Sequence, residues 1–226
     1  MKRGKKYRES LKKYNPENFY ALSEAVDLVK SLAFAKFDET LDLSVKLNLK
    51  KSQSVRDTVV LPHQFKAEKR VLVFCKPEKE KEAQEAGAAF VGAEDLIDKI
   101  KGGWTEFDVA VATPDMMKDV GKLGMVLGRK GLMPNPKTGT VTFDLKGALA
   151  ELKKGRTEFR ADKTGVVHLA VGKVSMDSGQ VAENVKTVVA EIKRKRPVDA
   201  KGEFIQTISV ASTMGPGVWV AAKDID

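Results

Sequence analysis

Leu41-Asp42-Leu43-Ser44-Val45-Lys46-Leu47-Asn48-Leu49-Lys50 alternates apolar and polar residues without a fault. In a strand successive side chains point to opposite faces, so this period of two sends the leucines and the valine one way and every polar group the other. The stretch is therefore a half-buried strand of the antiparallel type, covered on one side only. Before it, Leu22, Ala25, Val26, Val29 and Leu32 recur at steps of three and four, which predicts an amphipathic helix. After it, Val59-Val60-Leu61 reads as the next strand, ended by Pro62.

Past residue 70 the pattern changes. Val71-Leu72-Val73-Phe74, Ala88-Ala89-Phe90-Val91 and Val109-Ala110-Val111-Ala112 are short apolar runs with no polar alternation. They predict strands covered on both faces, as in a parallel α/β sheet. Between and after them, charged stretches over residues 78–85, 93–101 and 115–127 read as helices. Alternation then returns in Val166–Val171 and Phe204–Val210, around a helix marked by Val181, Val185, Val188, Val189 and Ile192, with Ser178 as candidate N-cap and Pro197 as stop. Similar ends around a different middle imply an insertion. Residues 1–67 and 158–226 build one α+β domain with an antiparallel sheet, residues 68–157 a second, α/β domain, and the two crossings are hinge candidates.

Charge divides along the same lines. The chain has 226 residues and a net charge of +9. Residues 1–70 hold 16 Lys/Arg against 9 Asp/Glu, residues 71–155 hold 13 against 13, and residues 156–226 hold 11 against 9. The excess positive charge lies entirely in the two outer segments. A polyanion gains counterion-release free energy there and little from the neutral middle, although a solvated surface with a basic tail gives the same arithmetic.

Enzyme chemistry needs a constellation of residues that this sequence lacks. There is no glycine-rich nucleotide fingerprint, and Gly121, Gly124, Gly128 and Gly131 have the wrong spacing for one. Two histidines, His63 and His168, and one cysteine cannot make a structural zinc site of the Cys/His type. The lone Cys75 ends an apolar strand, as a buried structural thiol does, and one cysteine forms no intrachain disulfide, as in a reducing cytoplasm. Lys-Thr-Gly occurs twice, and Ser10-Leu11-Lys12-Lys13 offers a Ser-x-x-Lys, but the Ser-Asp-Asn that completes the serine β-lactamase set is missing. No apolar run approaches the roughly 20 residues of a membrane span, so no membrane partner is expected.

Four segments are too particular for packing alone: Lys36-Phe37-Asp38-Glu39-Thr40; Gly128–Lys137, a loop fixed by Pro134 and Pro136; Asp162-Lys163-Thr164-Gly165, a hairpin turn with Gly165 free to take positive φ; and Ser212-Thr213-Met214-Gly215-Pro216-Gly217. Singly each reads as a loop or turn. Together and in this order they resemble the signature stretches of the L-one family of large-subunit ribosomal proteins, in its bacterial form, over about residues 5–220. Gly131-Leu132-Met133-Pro134-Asn135-Pro136-Lys137 and Ser212–Pro216 carry the specificity.

The resemblance implies a split RNA-binding domain and an inserted Rossmann-like domain, with no catalytic activity, metal or cofactor. It implies binding to large-subunit ribosomal RNA at the mobile stalk, help in releasing deacylated exit-site tRNA, and repression of the protein's own operon mRNA. The protein would be a monomer within the cytoplasmic ribosome. Carried over by residue, RNA binding falls on Lys36, Phe37, Thr40, Lys163, Thr164, Gly165, His168, Thr207, Thr213, Met214 and Gly215. Thr40, Thr207 and Thr213 would hydrogen-bond to riboses, phosphates or base edges, and Gly215 would admit the RNA backbone. Phe37 and Met214 would supply apolar contact, and the lysines charge. Phe37 also has the parity of the strand's leucines, which allows a core position, and His168 reads equally as a structural histidine. The crossing departs from the family's glycine-rich pattern with Gln64-Phe65-Lys66-Ala67-Glu68-Lys69, which bears on hinge motion between free and bound forms. Two readings stay open beside this one: a nucleotide binder or enzyme using the middle domain, and a free-standing regulator of one messenger using the same RNA surface.

Overall fold

A computed structural model of the chain describes residues 4–50, 53–65, 69–197 and 202–225. Lys2 and Arg3 of the basic tail, residues 66–68 of the crossing and the side chain of Lys137 lie outside that description. The backbone divides into two units, Met1–Phe65 with Glu158–Asp226, and Lys66–Thr157. In chain order the first segment carries α1 (Lys5–Leu11), β1 (Phe19–Tyr20), α2 (Leu22–Leu32), β2 (Thr40–Leu47) and β3 (Arg56–Val59). The insertion carries β4 (Val71–Phe74), α3 (Pro77–Glu85), β5 (Phe90–Gly92), α4 (Glu94–Lys101), β6 (Val109–Ala112), α5 (Met117–Val120), α6 (Gly124–Arg129) and α7 (Leu145–Lys153). The chain returns through β7 (Thr157–Arg160), β8 (Val166–Lys173), α8 (Ser178–Arg194), β9 (Ile205–Ser212) and β10 (Gly217–Val220).

The split unit is built on a five-stranded sheet of order β1-β10-β9-β2-β8, in which only the β1–β10 pair is parallel. Leu41, Leu43, Val45 and Leu47 of β2 are all buried, together with Val167, Leu169 and Val171 of β8 and Ile208 and Val210 of β9. Helices α2 and α8 cover that face with the apolar side chains their spacing predicts, so one core holds sheet and helices together. Each buried Leu, Ile or Val contributes roughly 1.5–3 kcal/mol. The only polar group of α8 in this core is Asn184, whose amide donates to Val171 O (2.8 Å) and His63 O (2.9 Å) and accepts from His63 N–H (3.0 Å). No described helix lies on the opposite face of the sheet.

The inserted unit is a three-stranded parallel sheet of order β5-β4-β6 with a core on each side. Leu72 and Phe74 face α4, α5 and α6 through Ile97, Ile100, Val120, Leu123 and Leu127. Val71, Val73 and Cys75 face α3 and α7 through Ala83, Leu145 and Leu149. All four residues of β4 are buried, as the unbroken apolar run requires.

The sequence expectation did not include α1, β1, β7 or β10, and four further elements differ from it. Strand β3 begins at Arg56, ahead of the apolar Val59–Leu61 run, because its identity comes from pairing with β7 and from the Arg56–Glu158 and Asp57–Lys195 ion pairs, not from hydrophobicity. The helix expected over 115–127 is broken into α5, α6 and short 3-10 turns, one of them Gly121–Leu123, since Gly121 and Gly124 weaken helix formation. Helix α7 was not expected, although Leu145, Ala148, Leu149 and Leu152 have helical spacing and Asp144 caps it by accepting from Gly147 N–H at 3.0 Å. Asp177, not Ser178, caps α8, through Gly179 N–H at 3.0 Å.

Candidate nucleic-acid interface

The polar half of β2's alternation makes a surface. Register places Asp42 between Ala170 and Ala211, Ser44 between His168 and Ser209, and Lys46 between Val166 and Thr207. Residues paired across strands share a face, so these rows form the open side of the sheet, away from α2 and α8. Ser44 Oγ and His168 Nδ1 are 2.9 Å apart, which ties the imidazole of an exposed strand position to the hydroxyl beside it. Lys46 Nζ donates to Thr164 O at the edge of the same face.

At the Thr40 end of β2 two loops are locked together. Thr40 N–H donates to Thr213 Oγ1 (3.0 Å), while Thr213 N–H and its hydroxyl both donate to Thr40 O (3.0 and 3.2 Å). Glu39 is buried to 1% exposure. Its carboxylate accepts from Phe34 N–H (3.0 Å) and Ala35 N–H (2.8 Å) on one oxygen and Met214 N–H (3.0 Å) on the other. Burial alone would raise this acid. The amide donors of Met214, Ala35 and Phe34 outweigh it and hold the carboxyl below the usual glutamate range, with the Ser212 hydroxyl close enough to help although it falls short of a full hydrogen bond. One buried charge thus ties the backbone ahead of Phe37 to the backbone of Met214. Those two side chains stand out at 56% and 52% exposure, an apolar pair on a rigid frame. Asp38 binds Ser175 through its N–H (3.1 Å) and hydroxyl (2.9 Å), and Ser175's hydroxyl is the chief reason its carboxyl sits low.

The opposite end of β2 carries the second cluster. Asp162 takes up the turn that links β7 to β8, accepting from Val166 N–H, Thr164 N–H and the Thr164 hydroxyl (2.8, 2.8 and 2.7 Å), and the Val166 amide first holds its carboxyl down. Gly165 takes φ +79, and Leu47 N–H donates to its carbonyl at 2.8 Å. Lys163 is exposed at the tip.

The eleven predicted residues therefore do not share one pocket. Lys36, Phe37, Thr40, Thr213, Met214 and Gly215 gather at one end of β2. Lys163, Thr164, Gly165 and Thr207 gather at the other, about 20 Å away at the rise of a strand, and His168 lies between them. Two expected roles change. Thr213's hydroxyl already donates to Thr40, so it has only an acceptor left to offer a ligand. A side chain at Gly215 would collide with Ser212 Oγ, so glycine there makes room for the protein's own loop. Phe37 is exposed and outside the core that its parity allowed, because it lies in a bend ahead of β2. Sequence reasoning missed Glu39, Ser44, Lys46 and Ser209. The last three lie on the polar side of strands already recognised. Glu39 has the parity of Leu41, and a carboxylate on a buried parity must find donors.

Elsewhere the chemistry is sparse. Cys75 is buried, and burial pushes its thiol up, away from a reactive thiolate. Gly128 and Arg129 end α6, so the proline-fixed loop begins at Lys130.

A model of the Ribosomal protein L1p/L10e family matches residues 29–216. The chain is 64% identical over 223 residues to the large ribosomal subunit protein uL1 of Treponema denticola, covering 99% of each chain. It is 61% identical over 223 residues to that of Treponema pallidum, again 99% of each. To that of Borrelia duttonii it is 59% identical over 217 residues, 96% of this chain and 97% of the relative.

Proposed function

Since the chain belongs to the Ribosomal protein L1p/L10e family, we propose that it is a structural component of the large ribosomal subunit whose split unit holds ribosomal RNA on the open face of its sheet. The observation that carries this reading is the Thr40 end of β2. There a buried glutamate and a reciprocal threonine lock hold two exposed apolar side chains, Phe37 and Met214, beside Lys36. Such a frame recognises the shape of a folded RNA. Rigid apolar contacts exclude water, backbone and hydroxyl acceptors meet 2′-hydroxyls, and lysines meet phosphates. Lys163 and the hydroxyl-bearing turn at the far end give a second contact on the same molecule. The family resemblance extends the proposal to the mobile stalk, to release of deacylated tRNA from the exit site, and to repression of the protein's own messenger.

The test is binding to a large-subunit stalk RNA fragment at two salt concentrations, for the natural protein, Thr213→Ala, and a chain lacking residues 68–157. Binding that survives the deletion and falls at least about ten-fold in Thr213→Ala is expected, given roughly 1–3 kcal/mol for a lost contact that leaves polar groups unpaired. The salt dependence should be shallow, since each phosphate adds only about 0.9 to the log–log slope. Loss of binding in a deleted chain shown to be folded would move the site to the inserted unit. A slope implying that most of the lysines before residue 14 are engaged would replace shape recognition by a basic tail.

A further inference from the structure

The open face does not end at β9. Trp219 of β10 pairs in register with Ser209, and Phe19 of β1 pairs in register with Trp219. Side chains in register lie on one face. A single row therefore crosses all five strands: His168, Ser44, Ser209, Trp219, Phe19. It is polar at one end and aromatic at the other, and four strand spacings make it roughly 19 Å long. Phe19 is 62% and Trp219 37% exposed, with ring centroids 6.4 Å apart and planes tilted by 42°. In the neighbouring row Gly217 pairs with Ala211, which sets two small groups beside the indole. The inner positions of β10, Val218 and Val220, are buried in the core. The exposed aromatics are thus not core residues left out; they belong to the opposite surface.

We propose that Phe19 and Trp219 form a stacking platform for unpaired bases of the RNA strand that lies on the hydroxyl part of this face. The inference rests on the reading of the face as an RNA interface. Two observations select RNA over another partner. The platform is continuous, residue by residue, with the Ser209–Ser44–His168 row, and it belongs to the unit that holds the larger part of the chain's excess positive charge. A sheet that presents two aromatic rings beside hydroxyls has what is needed to stack two or three splayed bases while the rest of the strand is held by its riboses and phosphates. Duplex RNA would gain nothing from the rings, because its bases are already stacked. The platform therefore predicts a preference for the stalk RNA with unpaired nucleotides over a plain duplex of equal length.

The full chain with Trp104→Phe retains Trp219 as its only tryptophan and reports on the platform directly. On titration with a large-subunit stalk RNA fragment, Trp219 emission should be quenched. Trp219→Ala and Phe19→Ala should each weaken binding about ten-fold at unchanged melting temperature, the loss of one stacked base. Trp219→Tyr, which keeps a ring, should bind nearly as the natural chain does. If Thr213→Ala weakens binding while both alanine variants stay within about two-fold and emission is unmoved, RNA sits on the face and the platform is idle, which overturns the inference. If neither Thr213→Ala nor the platform variants affect binding, the RNA reading of the face falls and takes the inference with it. If the chain instead dimerises without RNA and Trp219→Ala abolishes the dimer, the rings serve self-association and the inference is overturned.

Discussion

Strands β2 and β4 each bury four apolar residues, with opposite consequences. Every second residue of β2 is buried and the rest look outward over the sheet, whereas β4 is buried at all four positions. The difference decides where a large ligand can lie. A sheet sealed by helices on both faces has only its strand ends and edges to offer, and in the inserted unit those carry neither a phosphate loop nor a reactive thiol. A sheet sealed on one face keeps a free surface studded with hydroxyls, an imidazole, a lysine and two aromatic rings. The split unit has the free surface and most of the excess charge; the inserted unit has the better-covered core.

The largest effect should come from exchanging these environments. Val73→Asp places a carboxylate among Cys75, Ala83, Leu145 and Leu149, where no donor awaits it, and should cost more than about 4 kcal/mol. The unfolding of the inserted unit in urea, followed by Trp104, would measure it. Ser44→Asp on the open face should change stability by less than about 1 kcal/mol. Yet it should weaken stalk-RNA binding at least about ten-fold by setting a negative charge against phosphate. If Ser44→Asp unfolds the split unit, or Val73→Asp is tolerated, the contrast between the two sheets is wrong.

Much of this contrast is legible in the sequence, since burial on one face or two is written in the period of the apolar residues. The alternation of Leu41–Lys50 and the continuity of Val71–Phe74 are enough to separate the two sheets. What could not be read is what depends on pairing across the chain. Strand β3 exists through its pairing with β7, about a hundred positions away. The row that joins His168 to Phe19 needs the strand order β1-β10-β9-β2-β8, which no local pattern encodes. The same holds inside the candidate site. Phe37, Thr213 and Met214 come from the resemblance, but Glu39, which holds them in place, is visible only once its three amide donors are brought together.

That carboxylate is the next largest expected effect. Glu39→Gln keeps the shape but turns one acceptor oxygen into a donor facing an N–H, and should destabilise the split unit by about 2–3 kcal/mol. Because the folded-state pKa lies below the usual glutamate value, the stabilisation is complete above that value and is lost as pH falls through the folded one. Natural protein should therefore lose urea resistance below about pH 4, and Glu39→Gln should lose less over the same window. Equal acid sensitivity in the two proteins would show that the loops at this end of β2 are held by something else.

Gly215→Ala should cost about 1–2 kcal/mol, because the new methyl meets Ser212 Oγ. Adding Ser212→Ala removes the obstacle and should restore most of the loss, together with RNA affinity. If the double variant still binds poorly, the glycine is needed for approach of the RNA backbone as well.

The smallest effect lies at the far end of β2 and tests whether the two clusters are independent. Gly165 has φ +79, a conformation that costs an L residue roughly 1 kcal/mol, and a Cβ there would stand 3.0 Å from Leu47 O. Gly165→Ala should therefore destabilise the split unit by about 1–1.5 kcal/mol and loosen the turn that presents Lys163 and Thr164. It should leave the Thr40–Thr213 lock alone, since about 20 Å of strand separates them. Changes that far apart without shared partners usually add within about 0.5 kcal/mol, so the urea-measured losses of Gly165→Ala and Gly215→Ala should sum in the double variant. An interaction energy well beyond that would mean β2 transmits strain from one cluster to the other, and the open face would then act as one coupled site instead of two contacts on a passive sheet.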